Sequence, residues 1–172
     1  MKKLPVLIFC ILFISFFLLL PKTVLAKILF QDNFDDGNAD GWIVMGPPGW
    51  NVTTGWNVIN GEYGVLLNSG ISNTVPDDNY WNVEGGNYIY EVDLRGVQGT
   101  DKNLLFRFQG PGNWYGIHHG LGSIYFEKIV GGVDYSGSIP GSPFYNPLSN
   151  NTTYHFKIIL QDRKIKVFVN DK

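Results

Sequence analysis

Residues 87–97 read Asn87-Tyr88-Ile89-Tyr90-Glu91-Val92-Asp93-Leu94-Arg95-Gly96-Val97. Large apolar or aromatic side chains stand at Tyr88, Tyr90, Val92 and Leu94, and charges stand at Glu91, Asp93 and Arg95. Successive side chains of a strand point to opposite faces, so this period of two predicts one buried and one solvated face. A helix would scatter the same residues around its circumference. The stretch decides for β structure, and the sequence on either side of it agrees.

Downstream, Asn103–Gln109, the loop Gly110-Pro111-Gly112-Asn113 and Trp114–His119 predict a hairpin. With Gln109 opposite Trp114, Phe108 pairs with Tyr115 and Phe106 with Ile117 on the buried face. That register turns Arg107, Gln109, Trp114 and His118 to the other face. Ser123–Val130 predicts the next strand, closed by Gly131-Gly132, and Tyr154–Leu160 with Lys164–Val169 predicts a last hairpin around Gln161-Asp162-Arg163. Shorter strands are predicted over Ile28–Phe34, Trp42–Met45, Trp56–Ile59, Gly61–Leu67 and Ile71–Val75, and a long surface loop over Ser136–Asn151. No window carries a convincing amphipathic helix, an internal repeat or an interdomain linker. Short strands separated by Gly, Pro and Asn turns make an all-β chain, an antiparallel β-sandwich or barrel.

Composition removes the competing classes. Of 172 residues, 44% are hydrophobic, 15% aromatic and 16% charged. Disordered chains are charge-rich and aromatic-poor, and helical bundles need Ala, Leu, Glu and Lys in place of Gly and aromatics. The first 26 residues have the layout of a secretory signal peptide: Lys2-Lys3, an apolar run to Leu20, Pro21, and Val24-Leu25-Ala26 before a cleavage point. Cleavage there leaves one domain over residues 27–172, secreted or held at the cell surface, with no membrane insertion after the leader is removed. The leader carries three of the 13 Lys and Arg and none of the 15 Asp and Glu, so the remainder has a net charge of −5. Such a domain has no electrostatic footprint for nucleic acid. Cys10, the single cysteine, leaves with the leader, so neither a disulfide nor a thiolate site is expected.

Several segments resemble a known group. Phe30-Gln31-Asp32-Asn33-Phe34-Asp35-Asp36 followed by Gly41-Trp42 resembles the opening of concanavalin A-like and laminin G-like jelly rolls. Tyr90–Arg95, Leu105-Phe106-Arg107 and Trp114-Tyr115-Gly116 are similar to its central strands, and Tyr154–Ile158 with Ile165–Asn170 to its late hairpin. The resemblance implies two curved antiparallel sheets. Members of the group usually continue past an Asn-Asp-Lys turn into further strands, some with a metal-ligating Asp. This sequence stops at Lys172 on that turn, so a truncated sandwich is expected, a fragment to which other domains can be joined.

The resemblance also sets up an enzyme reading and its difficulty. Family-16 glycosidases on this fold carry two glutamates around a central Asp, on one strand face, at roughly 5–5.5 Å for nucleophile and acid/base roles. Glu91-Val92-Asp93 reproduces the first half, but Arg95 and Gly96 stand where the second Glu belongs. A guanidinium cannot donate that proton. A face of alternating charges explains the same residues. Asp36, Asn38 and Asp40, followed by Gly41, match half of a calcium-binding loop, although Pro47 replaces the closing bidentate Glu. Asx-turns account for that loop without an ion. His118 and His119 are adjacent, face opposite ways and cannot chelate one ion together, and hydrogen-bonded structural roles suit them and His155.

The five tryptophans are the most suggestive feature. Sugar rings present apolar C–H faces to aromatic rings and hydroxyls to polar side chains. Trp50, Trp56, Tyr80, Trp81 and Trp114 fall in or beside predicted loops, while Trp42 and Trp56 also suit the core. The expected site on the concave face combines Trp81, Trp114, Glu91, Asp93, Arg107, Gln109 and His118. The leading function is a non-catalytic module binding a polysaccharide or other glycan, with calcium, if any, the only cofactor. Alternatives are a sugar-active hydrolase, related to family 16 or to 3-keto-disaccharide hydrolysis, and an extracellular adhesion domain that binds protein.

Overall fold

The structure, a computed structural model, describes residues 27–45, 55–67, 72–77, 86–99, 102–120, 123–138 and 148–172. The predicted leader, Trp50, Tyr80 and Trp81 lie outside these residues. The described chain is all-β, with no α-helix. Its first strands are β1 (Trp42–Met45), β2 (Asn57–Ile59), β3 (Glu62–Gly64) and β4 (Asn73–Pro76). The long central strands are β5 (Tyr88–Arg95), β6 (Lys102–Phe106), β7 (Trp114–Gly120) and β8 (Ser123–Val130). The short β9 (Val133–Asp134) and β10 (Gly137–Ser138) follow, then β11 (Thr153–Gln161) and β12 (Lys164–Val169).

Two antiparallel sheets carry the fold. One has the order β10-β8-β7-β6, with β9 also paired to β8, and the other has the order β12-β11-β5. Along β5 the exposure alternates residue by residue, as the period of two requires, with Tyr88, Tyr90, Val92 and Leu94 packed inward. Leu104, Phe106 and Ile117 of the first sheet share one core with Phe156, Ile158, Leu160 and Val169 of the second, and Leu148 joins them. Each such side chain stabilises the fold by about 1.5–3 kcal/mol through apolar burial. The described ladders form a meander in the first sheet. In the second they form the long-range pair β5–β11 beside the β11–β12 hairpin.

Two smaller ladders, β1–β4 and β2–β3, meet around Tyr63. Its ring lies 5.3 Å from Phe34, 5.6 Å from Trp42 and 5.1 Å from Trp56. Trp42 and Trp56 therefore pack as expected, though in a satellite cluster and not in the main core. Their indole N–H groups donate to Asp32 at 2.8 Å and to Ser72 at 2.8 Å.

Turn chemistry fixes the hairpins. Asn60-Gly61 and Gly131-Gly132 hold both turn residues at positive φ, the requirement of the two-residue hairpin turns that match strand twist. Asn170 and Asp171 do the same, and Val169 and Lys172 exchange backbone hydrogen bonds of 3.1 and 3.2 Å across them.

Three expectations change. The β6–β7 register is two residues off, with Phe106 opposite Tyr115 and Leu104 opposite Ile117. The Gly110–Asn113 turn forms, but Arg107 at φ 48 ends the ladder before it. A shift of two leaves the side chains within the ladder on their faces, so Leu104, Phe106 and Ile117 stay inward, while Phe108, past its end and expected opposite Tyr115, stacks on Trp114. Ile28–Phe34 is not a strand, because Asp32 and Asn33 close Asx-turns onto the N–H groups of Phe34 and Asp35, and Phe34 sits at φ 58. The segment expected as one long loop contains β10.

Candidate functional site

The expected site residues do not converge. Glu91 and Asp93 lie on the outer face of β5, in the sheet opposite the one carrying Trp114 and His118, with the core between. Cross-strand register sets Glu91 beside Lys157 and Asp93 beside His155. The resulting contacts are Lys157 Nζ to Glu91 at 2.6 Å and His155 Nδ1 to Asp93 at 2.8 Å. Farther along, the Arg95 guanidinium grips Glu62 of β3. This is an open, charge-paired surface, with Asp93 68% and Glu91 47% exposed. Exposed pairs of this kind add little to stability, because water screens them.

Arg107 leaves the expected face altogether. Its guanidinium donates to the Gly86 carbonyl at 3.2 Å and the Asp162 carbonyl at 2.6 Å. These bonds clamp the start of β5 and the β11–β12 turn to the β6–β7 loop. Gln109 is exposed, and its backbone N–H closes the Gly110 turn onto Asn113 at 2.9 Å. Trp81 lies outside the described residues.

Asp36, Asn38 and Asp40 likewise serve the backbone. Asp36 accepts the N–H of Asn38 at 3.1 Å, and Asn38 accepts the N–H of Asp40 at 2.9 Å. Asp32 is engaged by Trp42 and by the Phe34 N–H. Among the described residues, no group of three or more His, Cys, Asp or Glu side chains is placed to hold a metal ion.

A compact polar and aromatic cluster does form on the outer face of β7 and β8. Alternation places Trp114, Gly116 and His118 outward on β7, and pairing sets them against Ile129, Glu127 and Tyr125 of β8. The Glu127 carboxylate crosses over Gly116, where an added Cβ would lie 3.0 Å from Oε2 and 3.1 Å from the Leu104 carbonyl. A side chain here would crowd the carboxylate and the backbone, which glycine avoids. The Trp114 indole N–H donates to Glu127 Oε2 at 3.0 Å, and His118 Nδ1 lies 3.7 Å from Oε1. His118 stacks on Tyr125 at 4.5 Å and 19°, and Trp114 stacks on Phe108 at 6.4 Å and 20°.

Asp134 of β9 shares this outer face through its pairing with Ile129. The Ser136 hydroxyl and amide N–H hold its carboxyl below the usual range, and nearby His118 adds to this. At 16% and 18% side-chain exposure, Glu127 and His118 are far better enclosed than the carboxylates of β5. A fixed carboxylate between two aromatic stacks can accept ligand hydroxyls while the rings receive apolar faces.

His119, on the inner face, is 2% exposed and its Nε2 accepts the Leu148 N–H, a structural role that brings the chain into β11. Of this cluster, Trp114 and His118 were among the expected site residues, and Glu127, Tyr125 and Phe108 were not. Tyr125 and Glu127 share one face of the predicted strand over Ser123–Val130, which was the available signal. Only the pairing with β7 brings them to Trp114. Comparison with protein-family models, with curated proteins and with solved structures found no match.

Proposed function

We propose that this protein is an exported, non-catalytic module that binds carbohydrate through the outer face of β7 and β8. The observation that carries the reading is the Trp114–Glu127–His118 cluster, a half-buried carboxylate held between stacked aromatic rings. A pyranose ring stacks its C–H face on an aromatic side chain, and its hydroxyls donate to a carboxylate whose position is already set. The leader-like first 26 residues support export. Glu91 and Asp93 favour binding over glycoside hydrolysis, because on their exposed face Glu91 is already paired with Lys157 and Asp93 with the His155 ring. A hydrolase of the retaining kind needs two carboxylates facing one bond.

A glycan array probed with the wild-type chain and with Trp114→Ala tests this. Binding of at least one glycan by the wild type, reduced severalfold to about tenfold in the variant, is the expected result, since an aromatic contact contributes about 0.5–1.5 kcal/mol and about 1.4 kcal/mol is tenfold in affinity. Circular dichroism checks that the variant keeps its sheets. Absence of signal from every glycan overturns the reading.

A further inference from the structure

The same face carries information about which glycans it accepts, an inference that rests on the carbohydrate reading. Glu127 has two oxygens in different situations. Oε2 already accepts the Trp114 indole N–H at 3.0 Å, while His118 Nδ1 lies 3.7 Å from Oε1, beyond hydrogen-bond reach. Oε1 therefore keeps acceptor capacity toward a ligand, and a carboxylate can only accept. What it can meet is a hydroxyl or an ammonium. Asp134 adds a second negative charge to the face. The nearby Lys128 ammonium is drawn away to the Tyr115 and Tyr135 rings, with its Nζ at 5.9 and 5.7 Å from their centroids. Trp114 cannot offset these charges toward an anion, because its one donor is already engaged by Glu127.

We infer that this site selects neutral or amino-substituted sugars over uronic-acid or sulfated ones, and that Glu127 is the residue that sets the selection. A ligand carboxylate or sulfate brought to the Trp114 ring meets Glu127 as a like charge in a partly dehydrated position, where screening by water is weakened. Gly116 lets the carboxylate lie close over β7, since a Cβ there would crowd Oε2 at 3.0 Å and push it outward by a few tenths of an ångström. Glu127→Gln keeps an oxygen for the Trp114 N–H and removes the charge, so it separates selectivity from architecture.

The test is a titration of the full chain with cellohexaose, chitosan hexamer and oligogalacturonate at one ionic strength, repeated with Glu127→Gln. The wild type is expected to bind cellohexaose or chitosan hexamer about tenfold or more tightly than oligogalacturonate, and Glu127→Gln to shrink that ratio by about tenfold. Asp134→Asn is the second variant and moves the ratio in the same direction by a smaller factor. Equal wild-type affinity for the neutral and acidic oligomers overturns the inference while leaving carbohydrate binding intact. So does a ratio that Glu127→Gln leaves unchanged. Failure of all three oligomers, together with a silent array, overturns the carbohydrate reading and this inference with it.

Discussion

Arg107 and Phe34 occupy the left-handed region, at φ 48 and 58, without the Asn, Asp or Gly side chain that usually makes it tolerable. Such residues cost about 1–3 kcal/mol and persist where neighbours over-determine them. Around Arg107 the neighbours are explicit. Its backbone N–H donates to the Tyr88 hydroxyl at 2.7 Å, and its guanidinium reaches two carbonyls from distant elements. Burial pushes the Tyr88 phenol up, the Arg107 N–H partly opposes this, and the group stays neutral at ordinary pH. Tyr88→Phe removes the acceptor and leaves that N–H without it, so unfolding free energy should fall by about 1–2 kcal/mol. Urea denaturation reads the change, and an unaltered midpoint would mean that the phenol does not anchor the loop.

Strand pairing, one level up, converts isolated charges into partners. β5 alone shows Glu91, Asp93 and Arg95 in alternation, and β11 and β3 supply Lys157, His155 and Glu62 to meet them. The hydrogen bonds from Arg95 hold the Glu62 carboxyl below its usual range. A carboxyl depressed in the folded state contributes stability above its unfolded pKa and loses it as pH falls through the folded value. The contribution of Glu62 should therefore be present at neutral pH and fade below about pH 4.5. Denaturation midpoints for wild type and Glu62→Gln should differ slightly at pH 7 and draw together as the pH falls through the folded-state value. Salt should shrink the neutral-pH gap, because the pair is exposed. A gap of unchanged size throughout the acid range would place the effect in packing and not in charge.

Across the whole molecule, the shared core makes the two main sheets one cooperative unit. Ile158 has 0% exposure and lies among Leu104, Phe106 and Ile117 of the opposite sheet, together with Phe156 and Leu160 of its own strand. Ile158→Ala should cost about 2–5 kcal/mol, the range for a large-to-small change in a closed core. Tryptophan fluorescence and far-UV circular dichroism should still report one coincident transition, since neither sheet buries its inner face alone. Two separated transitions would show that the tryptophan-bearing elements, Trp114 of β7 and the Trp42–Trp56 cluster, do not unfold together with the rest of the strands. The Trp42–Tyr63 aromatic cluster stands apart from this core and is joined to β5 through Glu62 and Arg95.

The all-β class, the strands over Tyr88–Arg95, Ser123–Val130 and Lys164–Val169, and the inward set of β5 were legible in the sequence. Alternation is a local property, since each side chain's face follows from its neighbours two positions away. The turns at Gly110–Asn113 and Gly131-Gly132 were legible for the same reason, because glycine tolerates the positive φ they need. What lay beyond reach was every relation between distant segments. No local pattern shows that Arg107 would break its ladder to bond Gly86 and Asp162, or that Asp93 would meet His155 sixty-two residues away. Nor could it place Glu91 and Trp114 on opposite sides of the core, or bring Glu127 over Gly116. Those depend on register and on which sheet each strand joins, and both are settled by the packing of the whole inner surface at once.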